Sequence, residues 1–85
     1  MFVTKNIIFK GSDKRTIAES EKTFHEVANK YSFDIDLKFG NTEVDGKSML
    51  GITIIPGNKI VEMTVLSHNY SDEEITRIFK RWIVA

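Results

Sequence analysis

The chain has 85 residues, no cysteine, and twelve basic residues that balance twelve acidic ones. This length fits one small domain with a modest core, so we expect a single domain over residues 1–85 and no deep substrate cavity. Without cysteine, disulfides and thiolate metal sites are excluded, and two histidines are too few for an ordinary zinc site. The balanced charge argues against a nucleic-acid partner. We therefore expect no metal and no other cofactor.

The N-terminal segment, MFVTKNIIF, lacks the basic start and the small-residue cleavage site of a signal peptide. The apolar runs of the chain are short, whereas a membrane helix needs about 20 apolar residues. We therefore expect a cytoplasmic protein in a reducing compartment, with no membrane partner.

The first predicted elements are a strand and a helix. Residues 2–9 are rich in β-branched and aromatic types and predict a strand. Thr16 and Glu19 have the spacing of a capping box, so a helix is predicted over residues 16–31. The apolar face of this helix comprises Ile17, Phe24, Val27, Ala28 and Tyr31.

The start of this helix also indicates an anion site. Lys14 and Arg15 precede the predicted first turn. The first N–H groups of a helix lack intrahelical partners and lie at the positive end of the helix dipole. Lys14 and Arg15 are therefore candidate anion-binding residues.

The middle of the chain predicts two strands and one ambiguous segment. Residues 33–39 alternate between apolar and polar types, which predicts a strand with one buried face. Residues 42–44 continue it as a short returning strand. Residues 47–55 allow two interpretations: one arm of a hairpin with its turn at Pro56–Gly57, or a short helix capped by Ser48.

The C-terminal part predicts a strand over residues 59–66 and a final helix. Ser71 and Glu74 form a second capping box at the start of that helix. Its apolar face comprises Ile75, Ile78, Phe79 and Trp82. The order of elements predicts an α+β fold, an open-faced sandwich with helices on one side of a four-stranded, mainly antiparallel sheet.

A family resemblance covers nearly the whole chain. EVDGKSMLGI, residues 43–52, resembles the segment E-V-N-A-K-S-I-M-G of HPr, the histidine-containing phosphocarrier protein of the bacterial sugar phosphotransferase system. ANKYSFDIDL, residues 28–37, and the C-terminal SDEEITRIFKRWI resemble further segments of that family in the same order. The resemblance implies one HPr-like domain with two long helices and one short helix, the short helix lying over residues 48–54.

The reactive residue of that family is absent. By a count without gaps from Ala28, Ile17 occupies the position of the phospho-accepting histidine and Glu19 that of an arginine. Isoleucine has no nucleophile, and a glutamate repels an anion. The resemblance therefore implies a relative that is not a phosphocarrier. The sequence also has no nucleophile–base pair, carboxylate dyad at a defined spacing or metal cluster, so we do not expect an enzyme. His25 and His68 have no identified partner, and we expect both to be solvated.

Ser48 falls where many Gram-positive members of the family carry a serine that an ATP-dependent kinase phosphorylates. The phosphorylated protein then binds a catabolite-control transcription factor. A phosphate on a helix N-cap meets free N–H groups and the positive dipole. Lys47 would add a neighbouring cation, and Met49 and Leu50 would form a small exposed docking patch. In the alternative interpretation Ser48 is only an N-cap, and Met49 and Leu50 belong to the core.

These expectations together predict a regulatory or protein-binding module, a monomer or weak dimer. By resemblance its partners are phosphotransferase-system or catabolite-control proteins. Two alternatives stay open. One is a working phosphocarrier with a shifted phospho-acceptor. The other is an unrelated α+β module that pairs through its sheet edge or through the helix of Trp82.

Overall fold

Residues 1–84 are described by the computed structural model, in which four strands and three helices follow one another. They are β1 (Phe2–Ile7), α1 (Lys14–Ala28), β2 (Asp34–Phe39), β3 (Thr42–Asp45), α2 (Met49–Ile54), β4 (Val61–Leu66) and α3 (Asp72–Ile78). The strand order in the sheet is β1-β4-β2-β3, and each neighbouring pair is antiparallel. The predicted open-faced α+β sandwich is confirmed.

The core lies between the sheet and the helices. In the two central strands the buried residues that stand opposite one another are Ile35 with Val65 and Leu37 with Met63. They alternate with exposed polar residues, as the pattern over residues 33–39 predicts, because successive side chains of a strand point to opposite faces. The other face of the sheet is mainly polar, with Phe2 and Leu66 at one end.

The ring of Phe24 lies at the centre of the helical side of the core. Its centroid is 5.2 Å from those of Phe9 and Phe79 and 5.3 Å from that of Trp82. These distances are typical of attractive aromatic pairs. The apolar faces predicted for the two main helices therefore meet each other above the sheet.

The start of α1 differs from the prediction. The N-cap is Asp13, whose Oδ1 accepts the backbone N–H of Thr16 at 2.9 Å, and Thr16 Oγ1 accepts the backbone N–H of Asp13 at 3.1 Å. The capping box is therefore Asp13 with Thr16, and the predicted box of Thr16 with Glu19 is wrong. Glu19 instead pairs with Arg15, at 3.4 Å. The helix ends at Ala28, earlier than predicted.

The ambiguous segment is a helix, and the hairpin interpretation is wrong. Ser48 is the N-cap of α2, and its Oγ accepts the backbone N–H of Gly51 at 3.2 Å. β4 pairs with β1 and β2, so residues 49–54 have no strand partner. A Cβ on Gly51 would lie 2.8 Å from the carbonyl oxygen of Asp45, so α2 packs directly on the end of β3.

The last helix is shorter than its apolar pattern predicts. The capping box of Ser71 with Glu74 is confirmed, but α3 ends at Ile78. The chain then turns toward the outer edge of β1: the backbone N–H of Ile8 donates to the Trp82 carbonyl at 2.9 Å. A single antiparallel bridge joins Ile7 to Ile83. Pairing with the sheet replaces the last turn of the predicted helix.

Candidate functional site

Ile17 fills the space at the start of α1 where the resemblance places the reactive histidine. Its side chain lies against two glycine backbones from different loops. A Cβ on Gly57 would stand 2.6 Å from Ile17 Cδ1, and a Cβ on Gly11 would stand 2.7 Å from Ile17 Cγ1. Real Cβ atoms do not approach other atoms this closely. A Cβ on Gly11 would also stand 2.5 Å from the backbone nitrogen of Ile17, so this position requires glycine, whereas a Cβ on Gly57 would force the Ile17 side chain to shift. Ile17 is half-buried and lies outside the core cluster of the described residues.

Asn58 joins the two loops that flank Ile17. Its side-chain amide donates to the carbonyl of Gly11 at 2.9 Å and accepts the Gly11 N–H at 3.0 Å. Its own backbone N–H donates to the carbonyl of Phe9 at 2.8 Å. The sequence analysis missed this residue. The available signal was the triplet Pro-Gly-Asn, because asparagine tolerates the positive φ of 59° that Asn58 adopts.

The positive end of α1 is already occupied by a carboxylate of the chain itself. Asp13 accepts the Thr16 N–H, and this bond lowers the pKa of the Asp13 carboxyl below its ordinary value of 3.8. The Thr16 hydroxyl oxygen also accepts a hydrogen bond from the Ser12 N–H at 2.8 Å. An incoming anion would therefore meet the negative charge of Asp13. Lys14 and Arg15 are exposed, and their role as anion ligands stays a prediction.

Glu21 is a buried acid that the sequence analysis did not single out. It lies one turn beyond Ile17 on α1, is 6% exposed, and has no hydrogen-bond or ion-pair partner among residues 1–84. Burial raises the pKa of its carboxyl above the ordinary value of 4.5. Its carboxylate oxygens keep some contact with solvent, since no side-chain oxygen within residues 1–84 is both buried and without a partner, but the partial burial still disfavours the charged form.

The two histidines lie apart from Ile17 and from each other. His25 is half-buried on α1, and His68 is exposed in the loop after β4. The described residues contain no group of three or more side chains placed to hold a metal ion. None of the helices within residues 1–84 is long and apolar enough to span a membrane.

Lys47 has a structural role that its position beside Ser48 does not suggest. Its Nζ donates to the carbonyl oxygens of Tyr31 at 2.6 Å and Phe33 at 3.0 Å. The same atom lies 5.9 Å from the ring centroid of Phe33. The ammonium therefore holds the loop before β2 in place. Its expected role as a cation for a phosphate on Ser48 stays a prediction.

The exposed face of α2 carries two large apolar side chains beside the exposed Thr53. Leu50 is 82% and Ile54 is 64% exposed, and they lie four residues apart on one side of the helix. Met49 beside them is half-buried, and Ile52 on the opposite side is fully buried. We call Met49, Leu50 and Ile54 the α2 patch. The sequence analysis named the first two and missed Ile54, which the spacing from Leu50 would have indicated once the segment was known to be a helix.

The comparisons with known proteins concern the fold. No protein-family model matches the chain, and no curated protein matches it either. Among solved structures, the phosphocarrier protein HPr from Bacillus anthracis str. Ames superposes with a TM-score of 0.65 over 91% of this chain and 92% of that chain, at 21% sequence identity. This chain has the HPr fold.

A second HPr structure agrees. HPr-C-His from Thermoanaerobacter tengcongensis superposes with a TM-score of 0.58 at 24% identity, over 95% of this chain and 88% of that chain. The HPr fold predicted by the resemblance is therefore confirmed along nearly the whole chain. Within this HPr fold α1 packs against α2, so Ile17 and the α2 patch belong to adjoining helices.

Proposed function

We propose that the chain is a non-catalytic HPr-like protein that binds a protein partner through the α2 patch. The observation that supports this proposal is the packing of Ile17 between Gly11 and Gly57, where the resemblance places the phospho-histidine of the HPr family. An alkyl side chain neither accepts a phosphoryl group nor exchanges a proton. By resemblance, the proposed partners are proteins of the phosphotransferase system or of catabolite control.

The exposed pair of Leu50 and Ile54 supports a binding role. Single exposed apolar side chains are common, but Leu50 and Ile54 lie on one side of the same short helix, and adjoining exposed apolar side chains are typical of interaction sites. The helix that carries them is held by the buried Ile52 and by the close approach of Gly51 to β3. A fixed helix that presents two apolar side chains is suited to insertion into a groove of another protein.

Ser48 is proposed as the point of control. Its Oγ already accepts the Gly51 N–H, so a phosphate there would keep an N–H partner and the favourable helix dipole. It would also add about two negative charges directly beside the α2 patch. Phosphorylation would therefore change the class of partner that the patch accepts.

A labelling experiment tests the non-catalytic assignment. The chain and an ordinary HPr are incubated side by side with phosphoenolpyruvate and the first enzyme of the phosphotransferase system, and intact masses are measured. We expect phosphate on the ordinary HPr and none on this chain. Acid-labile, base-stable phosphate on this chain would overturn the proposal and favour a shifted acceptor such as His25 or His68.

A parallel reaction with an HPr kinase and ATP tests control at Ser48. We expect one added phosphate on the wild-type chain and none on Ser48→Ala. An unmodified wild type alongside a modified ordinary HPr would rule out this part of the proposal.

Direct binding tests the α2 patch. A catabolite-control transcription factor and the first phosphotransferase-system enzyme are titrated against wild type and against Leu50→Ser/Ile54→Ser. We expect the double variant to lose about tenfold or more in affinity, because apolar anchors dominate such interfaces. Ile60→Ser is the matched control, since Ile60 is 59% exposed and lies outside α2. Equal losses in both variants would contradict a role for the patch.

A further inference from the structure

A second surface lies at the opposite edge of the sheet from α2. It is an open groove of about 500 Å³, which we call the cationic groove, lined by Val27, Arg77, Ile78, Lys80, Arg81 and Trp82. α2 packs on β3, whereas the segment after α3 pairs with β1, the strand at the other end of the sheet. The cationic groove is therefore separate from the α2 patch.

The walls of the groove carry three positive charges. Arg77, Lys80 and Arg81 are all exposed. The two salt bridges within residues 1–84 join Lys5 to Asp72 and Arg15 to Glu19, so the three groove cations form no ion pair with a described carboxylate. The chain as a whole is electrically balanced. The charge of the groove is thus a local concentration of cations and not a general property of the surface.

The floor of the groove is apolar and already in place. The accessible apolar surface of the floor comes from Val27 and Ile78, which are half-buried, because Trp82 is only 2% exposed. The indole Nε1 donates to Ser20 Oγ at 3.1 Å, and the Arg81 guanidinium carbon lies 5.4 Å from the indole centroid. The side chains of the floor are already held in place before a ligand binds, so little conformational entropy would be lost on binding.

We propose that the cationic groove binds an acidic protein segment that places an apolar side chain on the floor between the cations. The charges on the walls complement carboxylates, and the apolar floor distinguishes such a segment from a simple anion. A single-stranded nucleic acid would need an exposed aromatic ring for stacking, and Trp82 is buried. A membrane surface would need exposed apolar side chains, and the most exposed ones, Leu50 and Phe2, lie elsewhere.

The consequence is a chain with two docking surfaces of different chemistry. The α2 patch is apolar and lies beside Ser48, the proposed phosphate acceptor. The cationic groove instead favours a negatively charged ligand. One molecule would then bring an acidic partner close to the partner of α2, which raises their effective concentration for each other. The inference stands on the groove alone and does not depend on what binds α2.

The proposal is tested by titrating the full chain with a synthetic peptide of alternating glutamate and leucine residues. Isothermal titration calorimetry measures the affinity. Fluorescence of Trp82, the single tryptophan of the chain, gives a second readout at the groove. We expect binding that weakens when NaCl rises from about 50 to about 300 mM. We also expect the variant Arg77→Gln/Lys80→Gln/Arg81→Gln to bind at least about tenfold more weakly.

The matched control is Lys10→Gln/Lys38→Gln/Lys59→Gln, which removes the same charge from exposed positions outside the groove. Its affinity is expected to equal that of wild type, and circular dichroism verifies that both triple variants are folded. A peptide of alternating lysine and leucine is expected not to bind. Equal losses in both variants, no binding by wild type, or tighter binding of an oligonucleotide or an anionic vesicle than of the acidic peptide would each overturn the proposal.

Discussion

Ile17 and Gly57 are in direct contact, because a Cβ on Gly57 would stand 2.6 Å from Ile17 Cδ1 and 2.7 Å from its Cγ2. Gly57→Ala is therefore expected to lower the free energy of unfolding by about 1–3 kcal/mol through overpacking. Ile17→Ala removes the atoms that clash. In the Ile17→Ala background, the cost of Gly57→Ala is expected to fall close to zero in urea denaturation. Strictly additive costs would contradict the contact.

Lys47 stabilises the loop before β2 through its bonds to the carbonyls of Tyr31 and Phe33. Lys47→Met keeps the alkyl chain but leaves both carbonyl oxygens without their donor. We expect a loss of about 1–3 kcal/mol in the free energy of unfolding. Lys30→Met is the control, because Lys30 is exposed and its ammonium has no partner among residues 1–84. Similar behaviour of the two variants would show that the Lys47 bonds contribute little.

Glu21 makes the stability depend on pH in an unusual direction. Burial raises the pKa of its carboxyl in the folded chain, so the proton is held more tightly there than in the unfolded chain. Stability from this group is present at low pH and is lost as pH rises through the raised pKa. Glu21→Gln is therefore expected to be more stable than wild type at pH 7, with the difference vanishing below about pH 4.

Glu26→Gln is the control for Glu21, since it removes an exposed carboxylate from the same helix. Free energies of unfolding at several pH values give the comparison. A constant difference between Glu21→Gln and wild type at all pH values would mean that the carboxyl does not titrate abnormally.

Asp13 contributes in the opposite sense. The bond from the Thr16 N–H lowers the pKa of its carboxyl, so the folded chain holds this proton less tightly than the unfolded chain. Its contribution is present above the ordinary value of 3.8 and is lost as pH falls through the lowered pKa. Asp13→Asn keeps an N-cap oxygen but cannot ionise.

Wild type is therefore expected to be more stable than Asp13→Asn near pH 6, and this advantage is expected to shrink below about pH 3.8. Asp34→Asn, at an exposed strand position, serves as the control in the same pH series. An advantage that persists unchanged into acid would contradict the role of the Asp13 charge at the helix start.

The elements that were predicted correctly are those whose sequence pattern involves only residues close together in the chain. Residues 33–39 alternate strictly, so the strand and the burial of Phe33, Ile35 and Leu37 follow from the pattern. Phe39, at the end of the strand, is 36% exposed and departs from it.

The capping box of Ser71 with Glu74 was also predicted correctly, because no second pair of residues with that spacing overlaps it. At the first helix two boxes overlap, because Thr16 can serve either as N-cap or as the third residue after Asp13. Contacts of the preceding loop with Thr16 decide between them, and the pattern does not contain those contacts.

The other errors have a long-range origin. Residues 49–54 are locally compatible with strand and helix, and the choice is made by β4, whose two sides are taken by β1 and β2. Asn58 meets Gly11, 47 residues away along the chain, and Lys47 meets carbonyls 14 and 16 residues away. A pattern of neighbouring residues does not contain contacts between residues so far apart in the chain. The roles of Asn58 and Lys47 therefore became visible only in the structure.

The pairing of residues 82–84 with β1 has a consequence for solubility. β1 is an end strand of the sheet, and the N–H and C=O groups on its outer edge would otherwise be free to pair with another extended chain. The bonds from Ile8 N–H to the Trp82 carbonyl and from Val84 N–H to the Asn6 carbonyl cover the C-terminal end of that strand. Residues 82–84 therefore protect this edge of the sheet against strand-to-strand aggregation. This role is separate from any binding of partners by the helices.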